Sequence, residues 1–355
     1  MNKPHVTVLI DTYNHERFIE EAVVSVVEQD FPASEMEILV VDDGSTDRTP
    51  EVLAKFAPRV RVLRKKNGGQ ASAFNLGIPE ASGEIVAFLD GDDWWTRDKL
   101  SRVVKALEDE PGVGIIGHGI VIVGPGENEQ VEILREGFRF KADTLDGARM
   151  LRRRGAFLGT SRMTIRADLL RRIGPVPEAI RVQADEYLFT LASVMAGARI
   201  LEETLTYYRI HDANTYQIAT FDPARMRAKQ ESLAALAVAL TEALKSHGID
   251  AKTREAITLY TEACADQLRL STDGGWSWET VRTEWSLYQV AHPEAPLSHR
   301  AFKSLVLLGA LAFPPKTFYS IRRRVTQGGA YSSARARLLP VPQMPHIERR
   351  PRSGS

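Results

Sequence analysis

The chain has 355 residues, 43% of them hydrophobic and 26% charged, enough to bury a sizeable core and to form one large domain with an appendage. Its 46 basic side chains balance 46 acidic ones, so no global field draws it onto nucleic acid. The single cysteine, Cys264, excludes an internal disulfide and a cysteine-rich metal knuckle and fits a reducing compartment.

Lys3, Pro4 and His5 run straight into an apolar strand, Val6 to Ile10, without a leader of signal-peptide type, which predicts a cytoplasmic chain. Helical spacing over Arg17 to Glu28 follows, then a strand at Glu37 to Val41, a helix at Arg48 to Phe56 and a strand at Val60 to Leu63. Next come Ala71 to Gly77 and the strand Glu84 to Leu89. This alternation predicts an α/β domain whose parallel sheet is covered by helices on both faces. Pro111 to Val123 adds an apolar strand and Gly124 to Asn128 reads as a turn, opening an irregular stretch to residue 160. The pattern resumes with a strand at Ser161 to Arg166, a helix near Asp168 to Ile173, a break at Gly174-Pro175-Val176-Pro177, a helix at Asp185 to Ala196 and a strand at Thr204 to Tyr208. Beyond Pro223 the helical stretches Arg225 to Ser246, Thr253 to Leu270 and Trp278 to Val290 predict a C-terminal helical region. The expected organisation is therefore a catalytic α/β domain over 1–222, a helical region over 223–330 and a disordered basic tail over 331–355.

Two of the apolar strands end in acids: Leu89 leads into Asp90-Gly91-Asp92-Asp93, and Val41 into Asp42-Asp43-Gly44-Ser45. Neighbouring strands of this kind deliver carboxylates to the edge of a sheet where open α/β folds bind ligands, and hard carboxylate oxygens suit Mg²⁺ or Mn²⁺ beside a phosphate ester. Taken singly, each segment also reads as a turn or helix cap. The first strand closes with Asp11-Thr12-Tyr13-Asn14 and no glycine-rich loop, which argues against a dinucleotide fold and a phosphate-cradling P-loop. A flat tyrosine and an acid that accepts an imide proton suit a pyrimidine base.

In order, Thr12-Tyr13-Asn14, Val41-Asp42-Asp43-Gly44-Ser45, Asn67-Gly68-Gly69, Asn75-Leu76-Gly77 and Leu89-Asp90-Gly91-Asp92-Asp93 resemble the inverting family 2 glycosyltransferases of GT-A fold. The likeness continues through Arg166, Gly174 and Asp185 to Tyr208-Arg209-Ile210-His211. It implies a nucleotide-diphospho-sugar transferase fold, with a Rossmann-like, mostly parallel sheet and helices on both faces. It also implies that Thr12, Tyr13 and Asp43 bind the nucleotide, the latter two at the base, that Asp92 lies near the ribose and that Asp90 completes the acidic signature. Asp93, by the same likeness, binds a divalent cation, Mn²⁺ or Mg²⁺, that neutralises the departing diphosphate. The resemblance marks Asp185 as the general base that takes the acceptor hydroxyl proton for a single inverting displacement, and places His211 near the metal and diphosphate. On their own residues two alternatives stay open: Asp185 opens a helical pattern and suits a cap, and a lone histidine after a strand is readily structural. Ala184 departs from the family, which usually has an acid before the base, and Phe74 stands where many relatives carry arginine.

Residues 297–325 join the apolar run Leu305 to Phe313, with Phe318, Tyr319 and Ile321, to Arg322-Arg323-Arg324. Such a segment suits either a helix lying in an anionic membrane interface or a helix closing the C-terminal core. The run is too short to span a bilayer and is closed by Pro314 and Pro315. The expected function is metal-dependent inverting transfer of a sugar from a nucleotide-diphosphate donor, uridine first, to a saccharide or lipid-linked saccharide, in cell-surface polysaccharide synthesis. The expected place is the cytoplasm, peripheral on the inner face of the cell membrane, with no nucleic-acid partner. The alternative is a catalytically silent nucleotide-sugar-binding protein on the same fold. A nucleotidyltransferase would carry a glycine-rich loop after the first strand, which Asp11 to Asn14 does not provide.

Overall fold

The computed structural model describes residues 4–124, 128–133, 136–153, 159–211, 222–292, 295–327 and 346–351. The chain divides into two units, 1–217 with 345–355, and 218–344. The expected turn at Gly124 to Asn128 lies mostly outside the described residues.

In the first unit the elements are β1 (Val6–Thr12), α1 (Ile19–Val27), β2 (Met36–Asp42), α2 (Thr49–Ala54), β3 (Arg61–Arg64), α3 (Gln70–Glu80), β4 (Ile85–Asp90), β5 (Trp94–Trp95), α4 (Lys99–Glu108) and β6 (Ile115–Val123). They continue with β7 (Asn128–Ile133), β8 (Phe138–Phe140), α5 (Leu145–Arg153), β9 (Thr164–Arg166), α6 (Ala167–Ile173), α7 (Ala184–Met195) and β10 (Ala198–Arg209). Strands β1 to β4 are parallel in the order β3-β2-β1-β4, and β9 joins β4 to β6 in antiparallel pairing. Val6, Val8, Leu9 and Ile10, like Ile85 to Leu89, are buried at consecutive or nearly consecutive positions, because helices cover both sheet faces and leave no solvated side for alternation.

The chain leaves β1 for β2 on one side and returns to β4 on the other, which opens a crevice at the carboxyl ends of these strands. Register aligns those ends: Asp11 lies opposite Asp90, and Thr12 opposite Asp42. β10 runs parallel to β6, and its residues Thr206 and Tyr207 pair with Trp95 and Trp94 of β5. That pairing pins the segment after Asp93 against the one leading to His211.

Two departures from the sequence reading have local causes. β10 begins at Ala198 rather than Thr204, because Ala198 to Ile200 pair with both β6 and β8 before a register shift, and the charged pair Glu202-Glu203 hides that continuity. The stretch read as irregular carries β7, β8 and α5.

In the second unit, α8 (Pro223–Ser246), α9 (Ala251–Thr272), α10 (Ser277–Ala291), α11 (Leu297–Leu308) and α12 (Pro315–Gln327) follow one another. Asp222 accepts from the backbone N–H groups of Ala224 and Arg225 at the start of α8, and Asp250 from those of Lys252 and Thr253 at the start of α9. The core of the α8–α9 pair is formed by Leu233, Leu236, Leu240, Leu244, Ile257 and Leu270. Within the segment expected to be a disordered tail, β11 (His346–Pro351) pairs antiparallel with β7 and belongs to the first unit. No helix of the described residues is long and apolar enough to cross a membrane.

Candidate active site

The β2 strand end separates its two acids by task. Asp42 is fully buried and accepts from the Ser45 N–H (2.8 Å), closing the turn, while Gly44 adopts φ +82 where an added Cβ would meet the Asn67 nitrogen at 2.7 Å. Asp43 points the other way. One carboxylate oxygen accepts from Lys65 Nζ (2.7 Å) and the Gly68 N–H (3.0 Å), and the other from the Gly69 N–H (2.7 Å). The Asp42–Ser45 contact is the turn that the segment's composition allowed, and Asp43 is buried against the segment that joins β3 to α3. Tyr13, at the neighbouring strand end, exposes 42% of its surface. Thr12 is buried, its hydroxyl 3.2 Å from His15 Nδ1.

Gly69 makes this arrangement possible: its φ is +89, and a Cβ there would lie 2.8 Å from the Arg181 carbonyl oxygen. Gly69→Ala should therefore lower unfolding free energy by about 1–3 kcal/mol, read from urea denaturation. An unchanged midpoint would mean that the turn relaxes without strain.

The acidic centre gathers the ends of β1 and β4. Ligand atoms of Asp90, Asp92 and Asp93 lie within 4.8 Å of one another. Asp93 is only 1% exposed and has both oxygens engaged, one by the Ser161 hydroxyl (2.6 Å) and one by the Arg209 N–H (2.9 Å). Asp92 instead meets His211 Nε2 at 2.9 Å, with His15 Nε2 at 3.8 Å. Asp93 thereby ties the end of β4 to β10, while Asp92 is paired with His211. Arg209 stacks over Trp94, 4.3 Å from the ring centroid, and Trp94 stacks on Tyr207 at 5.0 Å, so the His211 segment is held rigidly beside Asp92.

Burial and mutual repulsion raise these carboxyls. Burial, then the charge of Asp92, pushes Asp11 up to about 8, and one of its oxygens is buried without a hydrogen-bond partner. Burial lifts Asp90 and Asp93 well above the usual carboxylate range, aided by Asp11 and Asp92 respectively. Burial acts against Asp92 too, but the hydrogen bond and charge of His211, with His15, outweigh it and hold Asp92 below its ordinary value. A crowd of carboxylates with an orphaned oxygen and an imidazole is a donor set that fits a hard divalent cation, which would discharge the repulsion.

Asp185 stands in the first turn of α7, but it is not the cap residue. That position belongs to Gln183, whose φ is +65 and whose side chain caps nothing. The Asp185 carboxylate accepts from the Glu186 N–H (2.8 Å) and from Thr160 Oγ1 (3.4 Å), and burial pushes its pKa up to about 6. Such a value suits a base that is ionised at neutral pH yet avid for a proton. Glu186, directly after Asp185, forms a buried ion pair with Arg152 (2.9 Å), so the acid beside Asp185 lies on its C-terminal side, with Ala184 before it. Phe74 explains the missing arginine: it is wholly buried and packs edge-on against Phe88 at 5.2 Å.

Gln70, at the start of α3, links the two halves. Its Nε2 donates to Thr160 Oγ1 (2.9 Å) and lies 3.4 Å from Asp90, and its Oε1 accepts from the Ala184 N–H (3.0 Å). Gln70→Ala should lower kcat by about 10- to 100-fold through misplacement of Asp185, and add nothing in an Asp185→Asn background. An equal loss in both backgrounds would remove it from this role. Gln70, Thr160, Ser161 and Asp11 are absent from the site read from sequence. Only Asp11 left a signal there, as a third acid ending an apolar strand.

A mixed sheet whose parallel strands end in acids at the switch point, with a carboxylate on α7 bridged to them, fits a GT-A nucleotide-sugar transferase fold. The model of Glycosyl transferase family 2 matches residues 7–174, and an uncharacterized glycosyltransferase of Nostoc sp. is 32% identical over 232 residues, 64% of this chain and 71% of that protein. The chain belongs to glycosyltransferase family 2. The poly(ribitol-phosphate) beta-N-acetylglucosaminyltransferase TarS of Staphylococcus aureus is 34% identical over 107 residues, 29% of this chain but only 19% of TarS. A crystal structure of TarS residues 1–349 with UDP-GlcNAc superposes with a TM-score of 0.55 at 19% identity, covering 81% of each chain. A mannosyltransferase of Pyrobaculum calidifontis with GDP-Man and Mn²⁺ gives 0.50 at 22% identity, covering 95% of this chain and 87% of that one. At such identities the structural likeness shows the fold alone.

Proposed function

We propose that this chain is a metal-dependent inverting glycosyltransferase that moves a sugar from a nucleotide diphosphate, a uridine donor first, to a saccharide or lipid-linked saccharide acceptor in cell-surface polysaccharide synthesis in the cytoplasm. The observation that carries this reading is the bridge Asp90–Gln70–Thr160–Asp185, which sets a carboxylate with a pKa of about 6 across from the acidic centre. The donor and metal named with TarS and the Pyrobaculum enzyme support the same class of substrate and ion.

Asp92 and His211 would hold the ion, with Asp90 beside them and Asp93 fixing the strand end through Ser161 and Arg209. When bound, a divalent cation offsets the charge that develops on the diphosphate leaving group. Asp185 removes the proton of the acceptor hydroxyl as that oxygen attacks the anomeric carbon from the side opposite the diphosphate, and the product configuration inverts. Tyr13 offers a flat face to the base, while Lys65 and the Gly68 and Gly69 amides orient Asp43 toward its edge.

Two measurements test this reading. With Mn²⁺ present, uridine diphosphate should raise Tm more than guanosine or cytidine diphosphate, and Tyr13→Ala and Asp43→Ala should erase that preference. Proton NMR of the product should show the anomeric configuration opposite to that of the donor. Retention, or equal stabilisation by every nucleotide, would overturn the mechanism or the base assignment respectively.

A further inference from the structure

The helical unit carries an exposed aromatic and aliphatic face that its own core does not use. Trp276, just before α10, and Trp278, in its first turn, are 73% and 54% exposed. Between them Ser277 donates its hydroxyl to the Phe313 carbonyl (2.9 Å), and Gly274 lies against the Lys316 side chain, so the start of α10 sits on the turn between α11 and α12. There Leu308, Leu311 and Phe313 are exposed, while Leu307, Ala310 and Tyr319 fill the core. In the 297–325 segment one set of apolar side chains therefore closes the unit and another faces outward.

At the tryptophan end of this face the acids Asp273 and Glu279 are paired with Arg227 and Arg269, and its other end is one-sided in charge. Residues 297–325 hold Arg300, Lys303, Lys316, Arg322, Arg323 and Arg324 and no Asp or Glu. Arg322 is paired with Glu284, but Lys316 and Arg324 are exposed and form no ion pair among the described residues. Tryptophan places its apolar ring and N–H at the boundary between lipid and water, and lysine and arginine draw such a face onto an acidic surface.

We propose that the face formed by Trp276, Trp278, Leu308, Leu311 and Phe313, with Lys316 and Arg324 as its basic rim, docks onto an anionic phospholipid surface. A second copy of the chain fits poorly, because a two-fold contact through this face would set the same cations against themselves. The chain's own 328–345 segment fits no better, since it carries Arg335 and Arg337 and no acid. The proposal goes beyond the sugar-transfer reaction, and either can fail without the other.

The test is flotation of the full chain with phosphatidylcholine vesicles and with phosphatidylcholine–phosphatidylglycerol vesicles, at low and high salt. Wild type should float with the anionic vesicles at low salt only, with a blue shift in tryptophan emission. Lys316→Glu with Arg324→Glu should weaken partitioning by about 10- to 100-fold. Trp276→Ser with Trp278→Ser should abolish both the flotation and the blue shift. Both variants should retain the wild-type Tm and the wild-type rate of donor hydrolysis, which separates loss of docking from loss of fold. Wild type remaining with the buffer, or tryptophan variants floating like wild type, would overturn the proposal. So would a concentration-dependent dimer that the tryptophan variant dissolves while vesicles bind nothing.

Discussion

Asp185→Asn should lower sugar transfer by roughly 10²- to 10⁴-fold, the range expected when a general base is removed. Asparagine keeps the oxygen that accepts from the Glu186 N–H and sets an amide NH₂ against the Thr160 hydroxyl, which can turn to accept from it, so the local bonds can survive while proton acceptance is lost. Stability separates this account from a capping role. The folded carboxyl, pushed by burial to about 6 from an ordinary 3.8, binds a proton more tightly than the unfolded one. Between those values the native state carries more protons, so stability falls as pH rises, and ionised Asp185 is a net cost at neutral pH. Asp185→Asn should accordingly leave Tm equal to or slightly above wild type at pH 7.5, whereas loss of a stabilising cap would lower it. The kcat of wild type should rise with pH through a single ionisation near 6 and then level off. Transfer that persists in the variant, or a rate independent of pH over that range, would assign the proton to another group.

The second large effect concerns the acidic centre. Asp92→Ala and His211→Ala should each reduce the Mn²⁺-supported rate by at least about 10²-fold, and both should weaken the rise in Tm that Mn²⁺ produces. Asp93→Ala should behave differently. It leaves the Ser161 hydroxyl and the Arg209 N–H without their acceptor in a buried setting, so it should cost about 1–3 kcal/mol of stability whether or not metal is present. Because burial and repulsion hold Asp11, Asp90 and Asp93 above the ordinary carboxylate range, their deprotonation costs stability as pH rises from about 4 toward 8. Mn²⁺ should therefore stabilise the chain more at pH 8 than at pH 5, and thermal melts at the two values check the sign. An Asp93→Ala protein that melts like wild type but no longer responds to Mn²⁺ would place Asp93 itself at the ion.

Much of the fold was legible because its signals are local. Val8 to Ile10, Ile38 to Val41 and Ile85 to Leu89 are apolar at successive positions, as strands buried on both faces must be, and helical spacing separates them. β10 was legible only in its second half, since its first half is defined by partners in β6 and β8 that lie far away in sequence. α4 shows Leu100, Val103, Val104 and Leu107 buried at helical spacing, a pattern present in the sequence but outside the elements read there.

The convergence of Asp90, Asp92, Asp93 and His211 was legible in the sequence, but the partners of Asp93 at 161 and 209 lie more than 60 residues away and are not encoded in motif spacing. Gln70 and Thr160 were invisible for the same reason, as ordinary polar residues that matter only through what they bridge. Asp43 was found through its strand end. Its neighbours Lys65, Gly68 and Gly69, which engage both of its oxygens, emerge only when β3 and α3 are folded beside β2.

The most direct measurement is release of nucleoside diphosphate from uridine-diphosphate sugars by the purified chain, with Mn²⁺ and again with a chelator. The account predicts release with Mn²⁺, its loss on chelation and recovery on adding metal back, and little release by Asp185→Asn under the same conditions. Donor that binds without any release, or release that is indifferent to the chelator, would contradict it.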